Sequence, residues 1–472
     1  MAKVHGLMDI GRRGMVLSQT ALNTTSHNIA NRSTEGYSRQ RVDLATNPAI
    51  DEGRYRIGTG AKLAGINRVN NPWLEKQIEQ EGSNYSFLES KANALSSLEG
   101  VLNEQNVEGI NAAISKFFNS FRELANNPES AVPRTQVREN AQNLISTLQT
   151  AKRQIDSSAQ GVFKSIENSI GEVNAITKEI SQLNEKILNI EITEGQANDE
   201  RDRRDLLLKK LSEKMNISYA EDPKTGMLNI TAGNTAVLVA GTTSTQLHTD
   251  MSETEGQRIM YNLSQNGTPF DVTDQFKAGS VGASLSVSGP NGIIGQLSQS
   301  LDELAYNIAN EVNRAHVEGF DRYNNQGQAF FDIPQDGTFS IDKLALNKDI
   351  AKDVGLIAAS SKPNSPGDNN VAHVIQNLQF QNTMGDGLYS FDNFYNNKVG
   401  EIGLLTQRTQ SALETQKNTV DQLKNTRETI SGVNLDEEAA KMIEFQKSYE
   451  ASARMIRVAD ELFDTVLNLK RL

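Results

Sequence analysis

The side chains that could carry out chemistry are few, and their spacing matches no common catalytic or metal-binding motif. The histidines show neither HxH nor HExxH spacing, so a metal site would have to be assembled by tertiary folding. They stand at positions 5, 27, 248, 316 and 373. The chain has no cysteine, which excludes disulfides, thiolate catalysis and cysteine–zinc sites. No GxSxG nucleophile motif occurs either. The sequence therefore predicts no catalytic residue, no metal ligand and no cofactor.

Two segments resemble ligand-binding loops only in part. "GTGAKLAG" at 58–65 has two glycines at phosphate-loop spacing but lacks the GK[ST] ending that places a lysine on phosphates. "DRYNNQGQAFFD" at 321–332 has a tyrosine at the third position of a calcium loop and ends in aspartate instead of glutamate. Both segments are predicted to be turns.

Composition limits the possible functions. With 47 basic and 59 acidic residues the net charge is −12, which repels phosphate backbones, so no nucleic acid is expected as a partner. A hydrophobic fraction of 37% and aromatics of 6% predict an elongated protein with much exposed surface, divided into two to four units. The N-terminus has no continuous apolar stretch. We therefore expect no membrane insertion, and either a cytoplasmic protein or one that leaves by a route without an ordinary signal peptide.

Each end of the chain carries one amphipathic helix with a single apolar stripe. One is predicted at about 4–30 and the other at 435–467, capped by Asn434. Neither helix can bury its stripe alone. They can form an ordinary terminal helix pair in one globular fold, or a coiled-coil assembly domain, which we favour. The candidate assembly residues on the stripes are Leu7, Met8, Met15, Leu22, Ile29, Leu435, Met442, Tyr449, Ile456, Phe463 and Leu467.

The first helix runs into a polar segment, "ALNTTSHNIANRSTEGYSRQ" at 21–40. We expect Asn31 to end the helix in a left-handed conformation and the Glu35-Gly36 pair to redirect the chain. Asn28 and Asn31 are added to the candidate assembly residues because such side chains can hydrogen-bond across subunit contacts. A simple surface loop would need the same residue types.

The middle of the chain alternates helical and β patterns. Apolar residues at helical spacing predict helices from Leu74, from about Val137, over 166–190, over 200–215 and from Ile293. Alternating runs around Asp-Pro-Lys-Thr-Gly predict a hairpin and β structure up to about residue 290. Residues 317–395 should form loops and short strands, with helix resuming from Glu401 and a break at 431–434.

These patterns predict a mainly α, elongated multidomain protein with a β insertion. Its parts are the terminal coiled-coil assembly domain (1–60 plus 430–472), a helical-bundle domain (61–215 plus 291–429) and a small outer β domain (216–290).

Particular segments resemble a known family. "SHNIANRSTEGYSRQRV" at 26–42 resembles the N-terminal signature of the bacterial flagellar rod, hook and hook-associated proteins. "SGVNLDEEAAKMIEFQKSYEASARMIRVADELFDTVLNL" at 431–469 resembles the C-terminal segment of the same proteins. Three interior segments resemble the hook-associated members found at the hook–filament junction: "LANNPES" at 124–130, "ERDRRDLLLKKLSE" at 200–213 and "VNRAHVEGFD" at 312–321.

The resemblance implies a structural part of the flagellum that joins hook to filament by axial self-assembly and catalyses no reaction. It implies terminal helices lining the axis, a helical middle outside them and a β insert facing solvent. The implied partners are copies of the chain, the hook protein, the next hook-associated junction protein and an export chaperone on the C-terminal segment. The implied location is extracellular, reached through the flagellar export channel without a cleavable signal. The alternatives are a hook or rod subunit and, in a different class, a surface adhesin or hydrolase that uses the β insert.

The unpartnered stripes generate a first prediction. In the free monomer the terminal helices should be mobile and should order on assembly, because their stripes lack partners. Amide hydrogen exchange on a verified monomer tests this, and strong protection over residues 4–30 and 435–468 would contradict it.

Overall fold

The computed structural model of the chain describes residues 2–52, 55–102, 109–193, 195–233, 235–252, 256–262, 268–289, 291–334 and 339–469. Within these ranges the chain is mainly helical with an inserted β segment, which confirms the predicted fold class.

The first helix leads into a narrow β ribbon that the sequence analysis missed. Helix α1 (Ala2–Ala30) is followed by β1 (Gln40–Thr46), β2 (Ile50–Glu52), β3 (Tyr55–Ile57) and β4 (Ala61–Arg68). β1 pairs antiparallel with β4, and β2 with β3. The turn predicted at 58–65 is wrong in its second half, because residues from Ala61 onwards belong to β4. Gly60, with a φ of 88°, makes the bend before that strand.

Four helices follow: α2 (Pro72–Leu102), α3 (Ile110–Asn126), α4 (Ala131–Glu191) and α5 (Asn198–Lys214). The helices predicted near Val137 and over 166–190 are one continuous helix, α4, whose 61 residues extend about 90 Å at 1.5 Å per residue. Gly161 and Gly171 lie inside it without interrupting it. A helix tolerates an interior glycine at a cost of about 1 kcal/mol, which packing along α4 offsets.

The inserted segment forms two small antiparallel sheets. The first contains β5 (Ile217–Glu221), β6 (Leu228–Ala232), β7 (Ala236–Ala240) and β8 (Thr243–Ser244) in chain order. The second contains β9 (Leu247–Ser252), β10 (Gly256–Tyr261) and β11 (Phe270–Asp271), with β10 in the middle. The predicted hairpin is confirmed, since β5 pairs antiparallel with β6 across the Asp-Pro-Lys-Thr-Gly turn.

The prediction of β structure up to residue 290 is wrong at its end. Residues Gly279–Ser288 form helix α6. Its small side chains are buried on several sides, at Gly279, Val281, Gly282, Ala283 and Val287 among others. A short helix surrounded by protein has no polar face, so it lacks the periodicity from which a helix is predicted.

The remaining elements are α7 (Ile293–Val317), β12 (Phe331–Asp332), β13 (Ala345–Leu346), α8 (Lys348–Lys352), α9 (Asn370–Asn377), α10 (Phe391–Ser431) and α11 (Leu435–Leu469). The break at 431–434 is confirmed, and so are loops and short strands in 317–395, but that prediction missed the short helices α8 and α9. Helix α10 begins earlier than the predicted Glu401. Ser390 caps its first turn by accepting a hydrogen bond from Asn393 N, and Phe391 and Phe394 are buried.

Two hydrophobic cores divide the body of the molecule. The first joins α3, the first half of α4, α7 and parts of 330–402. It contains a group of phenylalanines in edge and tilted contacts: Phe117, Phe118, Phe121, Phe330 and Phe331. The second core joins the second half of α4, α5, α6 and the inserted strands. Helix α4 contributes to both cores and so connects them, while the three-part division of the chain stays a prediction.

The residues that resembled ligand sites have structural roles. His316 is fully buried, and its Nε2 accepts a hydrogen bond from Ala358 N at 2.8 Å. Burial lowers the pKa of His316 to about 4, so the ring is neutral at physiological pH. Asp321 Oδ1 accepts hydrogen bonds from Tyr323 N and Asn325 N, which confirms a turn at the start of the segment 321–332, whereas its end, Phe331–Asp332, belongs to β12.

In the described ranges, no helix is long and apolar enough to span a bilayer. No group of three or more His, Cys, Asp or Glu residues there could hold a metal ion.

Glu79 generates a prediction about stability and pH. It lies on α2 with 9% of its surface exposed, and Tyr219 OH of β5 donates to its Oε2 at 2.9 Å. Burial raises the pKa of Glu79 from 4.5 to about 7. The stability that Glu79 contributes is therefore fully present below pH 4.5 and is lost as the pH rises through 7. Glu79→Gln should raise the free energy of unfolding at pH 8 by about 1–3 kcal/mol and flatten its decline with pH.

Urea unfolding at pH 5 and pH 8 measures this effect. The control is Glu99→Gln, which changes an exposed glutamate on the same helix and should leave the pH dependence unaltered. Equal pH dependence in wild type and Glu79→Gln would contradict the prediction.

Candidate assembly interface

The terminal helices α1 and α11 lie against each other in antiparallel orientation. Ser18 Oγ donates to Ser448 Oγ at 3.1 Å. Towards the end of α1, Asn28 Nδ2 donates to Glu438 Oε2 at 3.0 Å. Near the beginning of α1, Gly11 faces Ile456. The residue number on α11 falls as that on α1 rises, so the contact follows most of both helices.

Small residues make this contact. A Cβ atom added to Gly11 would lie 2.7 Å from Ile456 Cγ1, and one added to Gly14 would lie 2.5 Å from Ser452 Oγ. Ala21 and Ala459 are buried, with 4% and 1% of their surfaces exposed. The helices therefore approach more closely than larger side chains would permit. The apolar stripes did not predict this face, although a seven-residue recurrence of small or polar residues marks it at Gly14, Ala21 and Asn28, and at Gly11, Ser18 and Thr25.

One residue of the predicted apolar stripes, Ile456, takes part in the close contact, because it faces Gly11. The stripes as a whole are incompletely covered. On α1, Leu7 is 42% exposed and the others are half-buried, namely Met8, Met15, Leu22 and Ile29. On α11, Leu435 and Tyr449 are exposed and the half-buried ones are Met442, Ile456 and Phe463. The side chain of Leu467 lies outside the described residues.

Further apolar side chains on the same helices add to this uncovered surface. Val16, Ile443, Val458 and Leu462 are between 47% and 59% exposed. They were not among the predicted assembly residues, because they fall outside the single stripe that helical spacing selects. The pair thus presents apolar surface that the described residues leave uncovered.

Asn28, near the C-terminal end of α1, connects three elements. It is 1% exposed, and its Nδ2 also donates to Gln40 O of β1 at 2.9 Å. Its Oδ1 accepts from Gln40 N at 2.9 Å and from Tyr37 OH at 2.7 Å. Burial, followed by nearby acidic groups, raises the pKa of Tyr37, so its hydroxyl stays a donor. The polar groups of Asn28 are therefore used within the chain, which fixes α1, β1 and α11 to one another.

Asn31 does not adopt the predicted left-handed conformation. Positive φ at described non-glycine residues occurs at Asn324, Asn364 and Asp386. Asn31 instead ends α1 with its side chain, since Nδ2 donates to His27 O at 3.1 Å. Gly36 takes the positive φ, 83°. A Cβ there would lie 3.0 Å from Leu206 Cβ, so glycine also permits close packing on α5.

Charged side chains attach the helix pair to the body. Asp202 of α5 is 6% exposed, and its Oδ2 accepts from Ser38 N at 2.9 Å. Arg68 Nη1 lies 2.8 Å from both Asp202 Oδ1 and Asp205 Oδ2. Burial raises the pKa of Asp202, while its hydrogen bonds act in the opposite direction. The segment "ERDRRDLLLKKLSE" therefore provides the anchor on the body, a role that its sequence alone did not reveal.

The segment that follows α1 also contacts the break between α10 and α11. Arg39 N donates to Ser431 O at 2.9 Å, and Arg39 Nη1 lies 2.8 Å from Glu437 Oε2. Asn434 caps α11 as predicted, because its Oδ1 accepts from Asp436 N at 2.9 Å. The break thus holds α11 against the strand that leaves α1.

The close contact generates a prediction about helix pairing. The structure pairs α1 with α11 within one chain, so the premise that the terminal helices lack partners in the monomer is wrong in part, and protection is expected where they touch. Gly11→Ala should weaken amide-exchange protection in both α1 and α11, since its methyl group overlaps Ile456. Gly6→Ala on the same helix is the control. Its Cβ meets no atom within 4 Å, so only helix propensity changes, by about 1 kcal/mol in favour of the helix. Equal protection in the two variants would contradict the close contact.

Known proteins resemble almost the whole chain. A family model described as "Flagellar hook-associated protein FlgK helical domain" matches residues 95–331, half of the chain. The model "Flagella basal body rod protein" matches residues 8–37, and "Flagellar basal body rod FlgEFG protein C-terminal" matches 427–469.

Whole-chain relatives carry the same description. The chain is 29% identical to flagellar hook-associated protein 1 of Bacillus subtilis, covering 98% of this chain and 97% of that one. It is 24% identical to the protein of that name from Salmonella typhimurium, covering 99% and 100%. The solved flagellar hook junction protein FlgK from Burkholderia pseudomallei aligns with a TM-score of 0.67 at 16% identity, over 75% of this chain and all of that one, so the fold is shared.

Proposed function

The chain belongs to the family of the flagellar hook-associated protein FlgK, and we propose that the paired terminal helices are the surface by which it assembles at the hook–filament junction. It is a structural component of the bacterial flagellum and assembles with other flagellar axial proteins. The family assignment favours the junction over a hook or rod subunit.

One observation carries the proposal. The terminal helices pair through small residues, and this leaves Leu435, Tyr449, Ile443 and other apolar side chains exposed on the outside of the pair. Apolar surface in water is unfavourable by about 25 cal/mol per Å². Neighbouring chains that cover it would gain this free energy on assembly. The candidate residues Leu7, Met8, Met15, Leu22, Ile29, Met442, Ile456, Phe463 and Leu467 fall on the same helices.

Assembly along an axis needs two different surfaces on each subunit. Heterologous contacts repeated around an axis generate an open helix unless another protein ends it. We propose that one end of the subunit fits the hook protein and the other fits the next hook-associated junction protein, with copies of the chain at its sides. The subunit then acts as a mechanical adaptor and needs no catalytic group.

The route to the flagellum is part of the same proposal. We propose that the chain passes through the flagellar export channel and that a chaperone covers the C-terminal amphipathic segment beforehand. The exposed apolar residues of α11 support this, because an unfolded chain carrying them would otherwise aggregate.

Deletion of the gene tests the junction role. Electron microscopy should show bare hooks, with filament subunits lost to the medium. Absent hooks would move the assignment to a rod or hook subunit, and normal flagella would contradict the proposal.

Complementation of the deletion strain tests the surface. Tyr449→Asp, which places a charge on the exposed face of α11, should fail to restore filaments. Val374→Asp is the control, since this exposed valine lies on α9 of the body, and it should restore them. Both variants must appear in the medium of a strain without hooks, which separates failed assembly from failed export. Normal filaments with Tyr449→Asp would exclude this face.

A further inference from the structure

His27 lies where the last turn of α1 meets the first turn of α5. Its ring contacts a different group on each side. Nδ1 lies 3.1 Å from Tyr37 OH, and Nε2 lies 3.6 Å from Asp199 Oδ2. Because Tyr37 follows α1 and Asp199 belongs to α5, the ring joins the helix pair to the body.

The hydrogen bonds of Asn28 fix the direction of the contact with Tyr37. Asn28 Oδ1 accepts from Gln40 N, and Asn28 Nδ2 donates to Gln40 O. A main-chain N–H only donates and a carbonyl oxygen only accepts, so the amide of Asn28 has one possible orientation. The single hydroxyl hydrogen of Tyr37 therefore points to Asn28 Oδ1, 2.7 Å away. The hydroxyl oxygen is left as an acceptor for the Nδ1–H of His27.

A neutral His27 ring cannot make every contact in this network. Three contacts each need one hydrogen, namely Nδ1 with Tyr37 OH, Tyr37 OH with Asn28 Oδ1, and Nε2 with Asp199 Oδ2. A neutral imidazole and a phenol together supply two hydrogens, so one contact would place two acceptors opposite each other. The imidazolium supplies the third hydrogen and satisfies all three contacts.

The charged groups near the ring belong to α5, α11 and β4, and they are Asp199, Asp202, Glu438, Arg68 and Lys441. Burial, followed by the three carboxylates, raises the pKa of Tyr37, so its hydroxyl keeps its hydrogen. Asp202 pairs with Arg68, and Glu438 pairs with Lys441. Within the described ranges no lysine or arginine pairs with Asp199. Asp199 is therefore the carboxylate whose charge His27 can balance.

We propose that His27 is a proton-dependent contact between the helix pair and the body, in which the imidazolium binds Tyr37 and Asp199 together and the neutral ring gives up one of these contacts. A histidine gains its proton below about pH 6.5. The stability that this contact contributes is therefore present below that pH and is lost as the pH rises above it. The side chains of His27 and Asp199 are 40% and 61% exposed, so solvent screens the pair and its effect is local.

Amide hydrogen exchange on the purified full-length chain tests this contact without requiring assembly. Protection over residues 27–40 and over α5 is measured at pH 5.5 and at pH 8 and corrected for the intrinsic exchange rate. We expect protection to fall by about two- to five-fold at pH 8. Every chain carries Glu79→Gln, because Glu79 loses stability over the same pH range. Equal protection at the two pH values overturns the proposal.

Matched variants assign the pH dependence to this contact. His27→Gln removes the titrating ring and should abolish the fall in protection. Asp199→Asn removes the charge, keeps an Oδ1 that accepts from Gln40 Nε2, and should abolish the fall as well. Since Asp199 is largely exposed, its substitution leaves the fold intact even where His27→Gln disturbs the end of α1.

The control is His373→Gln, which removes an exposed histidine from α9 of the body and should retain the fall in protection. A fall that persists in His27→Gln or in Asp199→Asn overturns the assignment to this contact, and so does a fall that disappears in His373→Gln.

Discussion

The architecture depends on the close antiparallel contact between α1 and α11. Because Gly11 and Gly14 lack side chains where they face Ile456 and Ser452, the two helices touch over most of their length. The chain must therefore leave this pair after α1, form the whole body and return to it through α10. The residues between 31 and 434 form one long connection whose two ends are held together by this contact. Loop-closure entropy opposes the pairing, and the polar contacts that attach the helix pair to the body must offset it.

That anchor consists of buried polar groups. Asn28 joins α1 to β1 and to Glu438. Asp202 of α5 binds Ser38 N and Arg68 of β4. A buried polar group without a hydrogen-bond partner destabilises the fold. Few arrangements of the chain satisfy such groups, so paired ones favour a single arrangement. The polar segment after α1, which has no catalytic feature, is thus explained by geometry. Its side chains end the helix, turn the chain at Gly36 and fix the direction in which the pair leaves the body.

Small residues and larger apolar residues on the terminal helices have different roles. Small residues bring the helices of one chain together, and larger apolar residues on the same helices stay half-buried or exposed. A single chain can therefore hold its terminal helices in place and still present a surface to its neighbours. This arrangement suits a subunit whose terminal helices are already fixed to the body and whose remaining apolar surface is covered when subunits assemble along the axis. It also explains why the body carries its own two cores, since the terminal helices add little to them.

Features that depend on local pattern could be predicted from the sequence. Periodicity gave α2, α7 and both terminal helices, the Asp-Pro-Lys-Thr-Gly segment gave the β5–β6 hairpin, and Asn434 marked the start of α11. The tertiary structure alone decided the β ribbon after α1, the buried helix α6, the continuity of α4 and the face on which α1 meets α11. The face on which α1 meets α11 rests on contacts between residues hundreds of positions apart, such as Asn28 with Glu438. An apolar stripe indicates that one face of a helix becomes buried. Only the folded chain shows that small residues of α1 make the contact with α11.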